Sequence, residues 1–275
     1  MSGLLVDGKV IPVPGVQVIG RHEEAWAFLS PGDCRPRRDG SGHAVWPHQW
    51  MLHKTIADDP EKLIPGIGPS GGAGGARPTA EYWQNDPKHS GAHLITGHNG
   101  ELVCLADLVQ VMAYHATVSN LYSVGHETKE LVGGGFYEAA ARTTVEVTLA
   151  GCRALGIQWQ MPHQYSGQPL TRMMVDGGRD CFGIFGHRDN TTARGRWDPG
   201  DILPDMLHER GVMRFDFEHR EDIAFWMTVQ TELAARKFYH GAIDGIPGPG
   251  TTAALKADGY IDGILALGKQ ALPDA

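Results

Sequence analysis

Apolar positions recur along this chain with two different periods. After Gly133-Gly134-Gly135, the residues Ala141, Val145, Thr148, Leu149, Cys152 and Leu155 fall on one face at helical spacing, and Gly156 stands where a C-terminal cap belongs. Elsewhere the apolar stretches are short and read as strands. Trp50-Met51-Leu52 delivers His53, Tyr122 to Glu127 forms another, and Cys181 to Phe185 ends at Gly186-His187. His93 to Thr96 and Glu101 to Leu105 flank Asn99-Gly100, a dipeptide suited to a hairpin turn. Strands separated by one long helix predict an α/β domain with a mixed central sheet flanked by helices.

The remaining segments are punctuated by Gly and Pro. Residues 1–45 read as short extended pieces and turns at the edge of that domain, and residues 58–80 as a loop. A long polar loop, Pro162 to Arg179, precedes the last strand. Near residue 215 the pattern changes. Ile223, Trp226, Met227, Gln230, Leu233 and Ala234 make a second amphipathic helix, and Thr251 is placed to cap a third, Thr252 to Lys256. This predicts two units, 1–215 and 219–275, the second a small helical module.

Composition narrows the function classes. Lys plus Arg is 24 against 32 Asp plus Glu, a net charge of −8, which argues against non-specific nucleic-acid binding because that needs a basic surface. Asp107 interrupts the most apolar run, Leu102 to Tyr114, so no membrane span is expected. The first residues lack a basic n-region, so no secretory signal is expected either. Cys34, Cys104, Cys152 and Cys181 contain no C-x-x-C pair and read as reduced, mostly buried thiols. With 14 histidines, attention turns to metal ligation.

Two well-known patterns in the glycine-rich loop are coincidental. Gly66-Ile67-Gly68-Pro69-Ser70-Gly71 fits a dinucleotide fingerprint and Gly68 to Gly72 a nucleophile elbow, yet neither follows a strand nor opens a helix. His53 and His187, by contrast, both follow apolar strand ends, and Asp198 lies in Trp197-Asp198-Pro199-Gly200. Two imidazoles and a carboxylate would make a three-ligand zinc site with an open fourth position, where a water can be held and acidified. The same residues also fit a simpler reading: hydrogen-bonded histidines at strand ends, and a turn.

Taken together, these segments resemble the zinc-dependent N-acetylmuramoyl-L-alanine amidases, a family that includes phage amidase lysozymes, muropeptide-recycling amidases and animal peptidoglycan-recognition proteins. The likeness runs in order from about Trp46 to Pro204. It comprises His53, Gly91 to Ile95 before Asn99-Gly100, Tyr114-His115-Ala116, Asn120, Ser123 to Glu127, the long helix, Gly186 to Asp189 and Asp198-Pro199-Gly200. The resemblance implies that His53, His187 and Asp198 bind Zn²⁺, that Glu127 is the general base, and that His115 lines the substrate cleft. It also implies that Arg196, where the family usually has lysine, stabilises the oxyanion.

The chain departs from the family at two places. Ala92 stands where the phage branch often has tyrosine, which favours the glutamate-using branch. His126 precedes Glu127 where an apolar residue is usual, and because strand neighbours face opposite sides, a one-residue slip would exchange the two. His93 is expected in the core or behind the ligands, and the other histidines on the surface or in structural roles.

The C-terminal segment is similar to the small three-helix peptidoglycan-binding domain found beside cell-wall hydrolases. Its Val229-Gln230, Leu233, Tyr239, Gly241, Ile243 to Ile246, Gly248 to Thr251 and Ala253 to Leu255 carry the likeness. These resemblances imply a monomeric, modular peptidoglycan hydrolase that cuts between N-acetylmuramic acid and L-alanine. An endolysin, made in the cytoplasm and acting on the wall, reconciles the absent signal with the binding module; a secreted effector would look the same. The alternatives are a non-catalytic recognition protein and a cytosolic recycling amidase.

Overall fold

The computed structural model describes residues 3–20, 34–55, 76–85, 91–130, 135–162, 170, 173, 179, 181–191, 198–215, 220–241, 243 and 249–257. In chain order the strands are β1 (Leu4–Val6), β2 (Lys9–Ile11), β3 (Val18–Gly20), β4 (Cys34–Pro36), β5 (Gln49–Thr55), β6 (Leu94–Thr96), β7 (Leu102–Cys104), β8 (Val111–Ala113), β9 (Ser123–Lys129), β10 (Gln160–Pro162), β11 (Gly183–Gly186) and β12 (Met213–Phe215). The helices are α1 (Ala76–Asn85), α2 (Glu138–Leu155), α3 (Ile202–Glu209), α4 (Arg220–Ala235) and α5 (Pro249–Ala257).

Six strands form the central sheet in the order β11-β5-β9-β6-β7-β3. It is mixed: β11, β5, β9 and β6 run parallel, while β7 returns antiparallel beside β6 and β3 runs parallel to β7. The β6–β7 connection is the hairpin expected at Asn99-Gly100. Gly100 takes φ +80°, Asn99 Oδ1 accepts the Glu101 N–H, and Gly97 N–H donates to Glu101 O at 2.8 Å.

Alternation along the strands divides the core in two. Trp50, Leu52, Val124 and Ile184 face one way and are buried beneath Val145, Leu149 and Cys152 of α2 and Leu203 and Leu207 of α3. Met51 and Phe185 face the other way. They share a buried cluster with Ala116, Met173 and Cys181, and also with Trp226, Leu233, Tyr239, Ala254 and Leu255 of the C-terminal segment. The C-terminal helices therefore contribute to the same apolar cluster as the strands that carry His53 and His187. α2 ends as its sequence dictates: Gly156, at φ 71°, donates its N–H back to the last turn.

Three expectations change in detail. The loop expected over residues 58–80 gives way to α1 from Ala76, whose Ala76, Ala80 and Trp83 pack on Ile95 and Val103. Of residues 1–45, β3 belongs to the central sheet, at its edge beside β7. The last helix starts at Pro249, because proline is well suited to a first turn, and Thr251 is an internal buried residue whose Oγ1 accepts from Gln230 Nε2 at 3.3 Å. Two C-terminal helices are seen among the described residues. The glycine-rich pseudo-motifs of residues 66–72 lie outside them. Cys104, Cys152 and Cys181 are fully buried.

Candidate metal centre

His53 lies near the C-terminal end of β5, and β5 sits between β11 and β9, both parallel to it. The register pairs Leu52 with Gly186, which sets His187 beside His53, and pairs His53 with Glu127. Three candidate side chains thus meet because the in-register pairing of three neighbouring parallel strands sets them side by side, β11 ending at Gly186 while β5 and β9 run on to Thr55 and Lys129.

Asp198 is brought to the same place by the loop before α3. Arg188 N–H donates to Asp198 O at 2.8 Å, and Lys54 N–H donates to Asp198 Oδ1 at 2.9 Å. These bonds aim Oδ2 at His187 Nδ1, 3.1 Å away. Gly186 makes the approach possible, since a Cβ there would lie 2.6 Å from Pro199 Cδ.

The donor set fits a zinc ion. His53 Nδ1 and His187 Nδ1 face one another at 3.1 Å, and one ligand atom from each of His53, His187 and Asp198 lies within 4.8 Å of the others. Ligands about 2.0–2.1 Å from a tetrahedral zinc stand about 3.3 Å apart, close to the spacings seen here. All three residues are buried. Two imidazole nitrogens and a carboxylate converging away from bulk water form a site suited to a divalent cation.

Glu127 projects to this side, its Oε1 3.9 Å from His53 Nδ1, and its side chain is 16% exposed, so solvent and a ligand can reach it. His126 faces the opposite side. Its Nε2 meets Thr96 Oγ1 at 2.8 Å, its ring packs edge-on to Trp50, and burial pushes it down to about 3. Register, rather than residue type, places the carboxylate and not the imidazole beside the histidines. Arg196 lies outside the described residues.

His115 packs directly on His53, with its Nδ1 3.0 Å from His53 Nε2 and the two rings edge-to-face. Burial holds it well below the ordinary imidazole range, reinforced by His93, His187 and Arg37. Behind it His93 accepts the Gly125 N–H at Nδ1 and so donates from Nε2 to Val111 O. Burial first, then the neighbouring charge of Arg37, pushes His93 down to about 3.

Arg37 is the residue the sequence pattern did not single out. It leaves β4 and is 2% exposed, yet its guanidinium reaches the carbonyls of Leu108, Val109, Val111, Asn120, Leu121 and Ser123. Burial pulls it down to about 9, offset in part by Asp107. It ties the N-terminal segment to the loop and strand that carry His115 and Glu127. A Pro-flanked run of charge, Arg35 to Asp39, gives no periodic signal that one member is interior.

No protein-family model matches the chain, and no curated protein matches it in sequence. Solved structures with a similar course of the chain include the N-acetylmuramoyl-L-alanine amidase LysC from Clostridium intestinale, 9% identical over 72% of this chain and 99% of that one, with a TM-score of 0.43. Drosophila peptidoglycan recognition protein SA is 12% identical over 74% and 98%, with a TM-score of 0.45. The Ph2119 endolysin from a Thermus scotoductus bacteriophage is 14% identical over 71% and 99%, with a TM-score of 0.40. At TM-scores below 0.5 these likenesses carry no functional weight; the side chains of the site do.

Proposed function

We propose that this protein is a zinc-dependent peptidoglycan amidase that hydrolyses the bond between N-acetylmuramic acid and the L-alanine of the stem peptide. The observation that carries this reading is the convergence of His53, His187 and Asp198 with Glu127 beside them. A bound zinc would supply Lewis-acid polarisation of the scissile carbonyl and a water of lowered pKa.

The chain's own residues supply the rest. His53 Nδ1, His187 Nδ1 and Asp198 Oδ2 would hold the cation, and Lys54 N–H fixes the carboxylate. Glu127 takes the proton of the attacking water at a carboxylate oxygen and returns it to the departing amine. Arg196 is assigned the charge of the tetrahedral oxyanion, as the family resemblance implies. The C-terminal helices bind the wall and raise local substrate concentration. An endolysin route to the wall is the setting we assign to this chemistry.

The test is mass spectrometry of purified peptidoglycan after incubation with the protein, with and without a zinc chelator. Peptides with a free L-alanine amine, released from intact glycan strands only when chelator is absent, support the proposal. A protein that sediments with the wall and releases nothing in either condition overturns it in favour of recognition without cleavage.

A further inference from the structure

The ring nitrogens behind the metal ligands form a directed chain. His53 Nδ1 faces His187, so its other nitrogen, Nε2, points at His115 Nδ1, 3.0 Å away. If Nδ1 is to bind a cation, Nε2 must carry the proton and needs an acceptor. His115 Nδ1 can be that acceptor only if the His115 proton sits on Nε2, and that atom lies 3.3 Å from Ser123 Oγ. Ser123 in turn donates to Ser119 O at 2.7 Å. Every donor then meets an acceptor, and the chain ends on a backbone carbonyl, which cannot reverse it.

The surroundings hold His115 to this geometry. Asn120 Oδ1 accepts the backbone N–H groups of both His115 and Ala116, at 2.9 and 2.6 Å, fixing the backbone that presents the ring. The ring lies flat against β9 over Gly125, where a Cβ would stand 2.5 Å from His115 Cγ. Gly125 is also fastened from below, its N–H donating to His93 Nδ1 at 3.0 Å. A side chain needed only to contact substrate has no use for an acceptor aimed at a metal ligand, a serine on its far nitrogen and a glycine cleared beneath it.

We infer that His115 is a positioning residue for the metal centre, which fixes the orientation and tautomer of His53 through the chain His53 Nε2–H to His115 Nδ1, His115 Nε2–H to Ser123 Oγ, and Ser123 Oγ–H to Ser119 O. This rests on the zinc-amidase proposal and adds to it the residues that hold the first ligand. Hydrogen bonds of this kind behind metal-bound imidazoles are typically worth 10–100-fold in metal affinity.

The experiment measures zinc affinity of the full-length protein by competition with a fluorescent zinc indicator, with folding of each metal-free variant followed by tryptophan fluorescence. His115→Phe keeps an aromatic ring without the acceptor and is expected to bind zinc about 10–100-fold more weakly. His115→Asn places an amide oxygen near the Nδ1 position and is expected to recover most of that loss. Gly125→Ala, which displaces the ring without touching its chemistry, is expected to weaken zinc binding as His115→Phe does. Should His115→Phe fail to fold, Ser123→Ala removes the last side-chain link and is expected to weaken zinc binding severalfold. Wild-type affinity in His115→Phe and Gly125→Ala, or in Ser123→Ala if that variant must serve, overturns the inference while leaving the metal site intact. Equal losses in the Phe and Asn variants also overturn it, because ring volume would then matter and the acceptor would not. A wild-type protein that binds no zinc overturns both readings.

Discussion

His53 and Glu127 are register partners on adjacent parallel strands, and their side chains leave the sheet on the same side with Nδ1 and Oε1 3.9 Å apart. Glu127→Gln keeps the shape and removes the proposed base. It is expected to lower kcat by about 10²–10⁴-fold while zinc content stays stoichiometric, as measured by peptide release from peptidoglycan and by elemental analysis of the same sample.

Asp198 is held by Lys54 N–H at its carboxylate and by Arg188 N–H at its carbonyl. Asp198→Ala removes one of the three proposed ligands and leaves the other two in place. Zinc content is expected to fall from stoichiometric to trace after dialysis, and activity with it. A variant that keeps its zinc would show that another group completes the site.

Acid is expected to weaken the fold through the buried imidazoles. Burial pushes His93 and His126 down to about 3 in the folded state, against an unfolded value near 6.5. Below about pH 6.5 the unfolded chain therefore binds protons that the native state refuses. Stability is full above that pH and falls as pH drops toward 3, by about 1.4 kcal/mol per pH unit for each imidazole. Urea melts at pH 7, 6 and 5, with chelator present throughout, are expected to show this slope. In His126→Gln the slope should be shallower by about one proton.

Gly151 is where α2 crosses Trp50. A Cβ there would stand 2.2 Å from Trp50 Cζ3, and Trp50 is fully buried. Gly151→Ala gains helix propensity but forces the indole or the helix to move. The net loss is expected to be about 1–3 kcal/mol, read from urea denaturation.

Arg37 spans six carbonyls from a buried position. Arg37→Lys keeps the charge but cannot reach that many acceptors and leaves several carbonyls without a donor. A loss of about 3 kcal/mol or more is expected by the same measurement, together with weaker zinc binding, because the loop carrying His115 is among its acceptors.

Elements that depend on near neighbours were legible in the chain. The α2 periodicity with Gly156 after it, the turn at Asn99-Gly100, and the apolar runs that end at His53 and His187 are local signals, and each element forms within a few residues of where they stand. Their order along the chain also pointed to a mixed sheet between helices. The local pattern places the start of α5 too late because Pro249, a suitable first-turn residue, opens it, and it misses α1 because the short apolar face of that helix, Ala76, Ala80 and Trp83, is set by packing on Ile95 and Val103. Which residues meet was settled by the fold. The register of β5 on β9 chose Glu127 over His126, a choice that alternation in one strand cannot make. The same pairing put Gly125 beneath His115, and so turned His115 toward His53. Arg37 became interior only because six carbonyls from distant segments close around it, at sequence separations that no local pattern records.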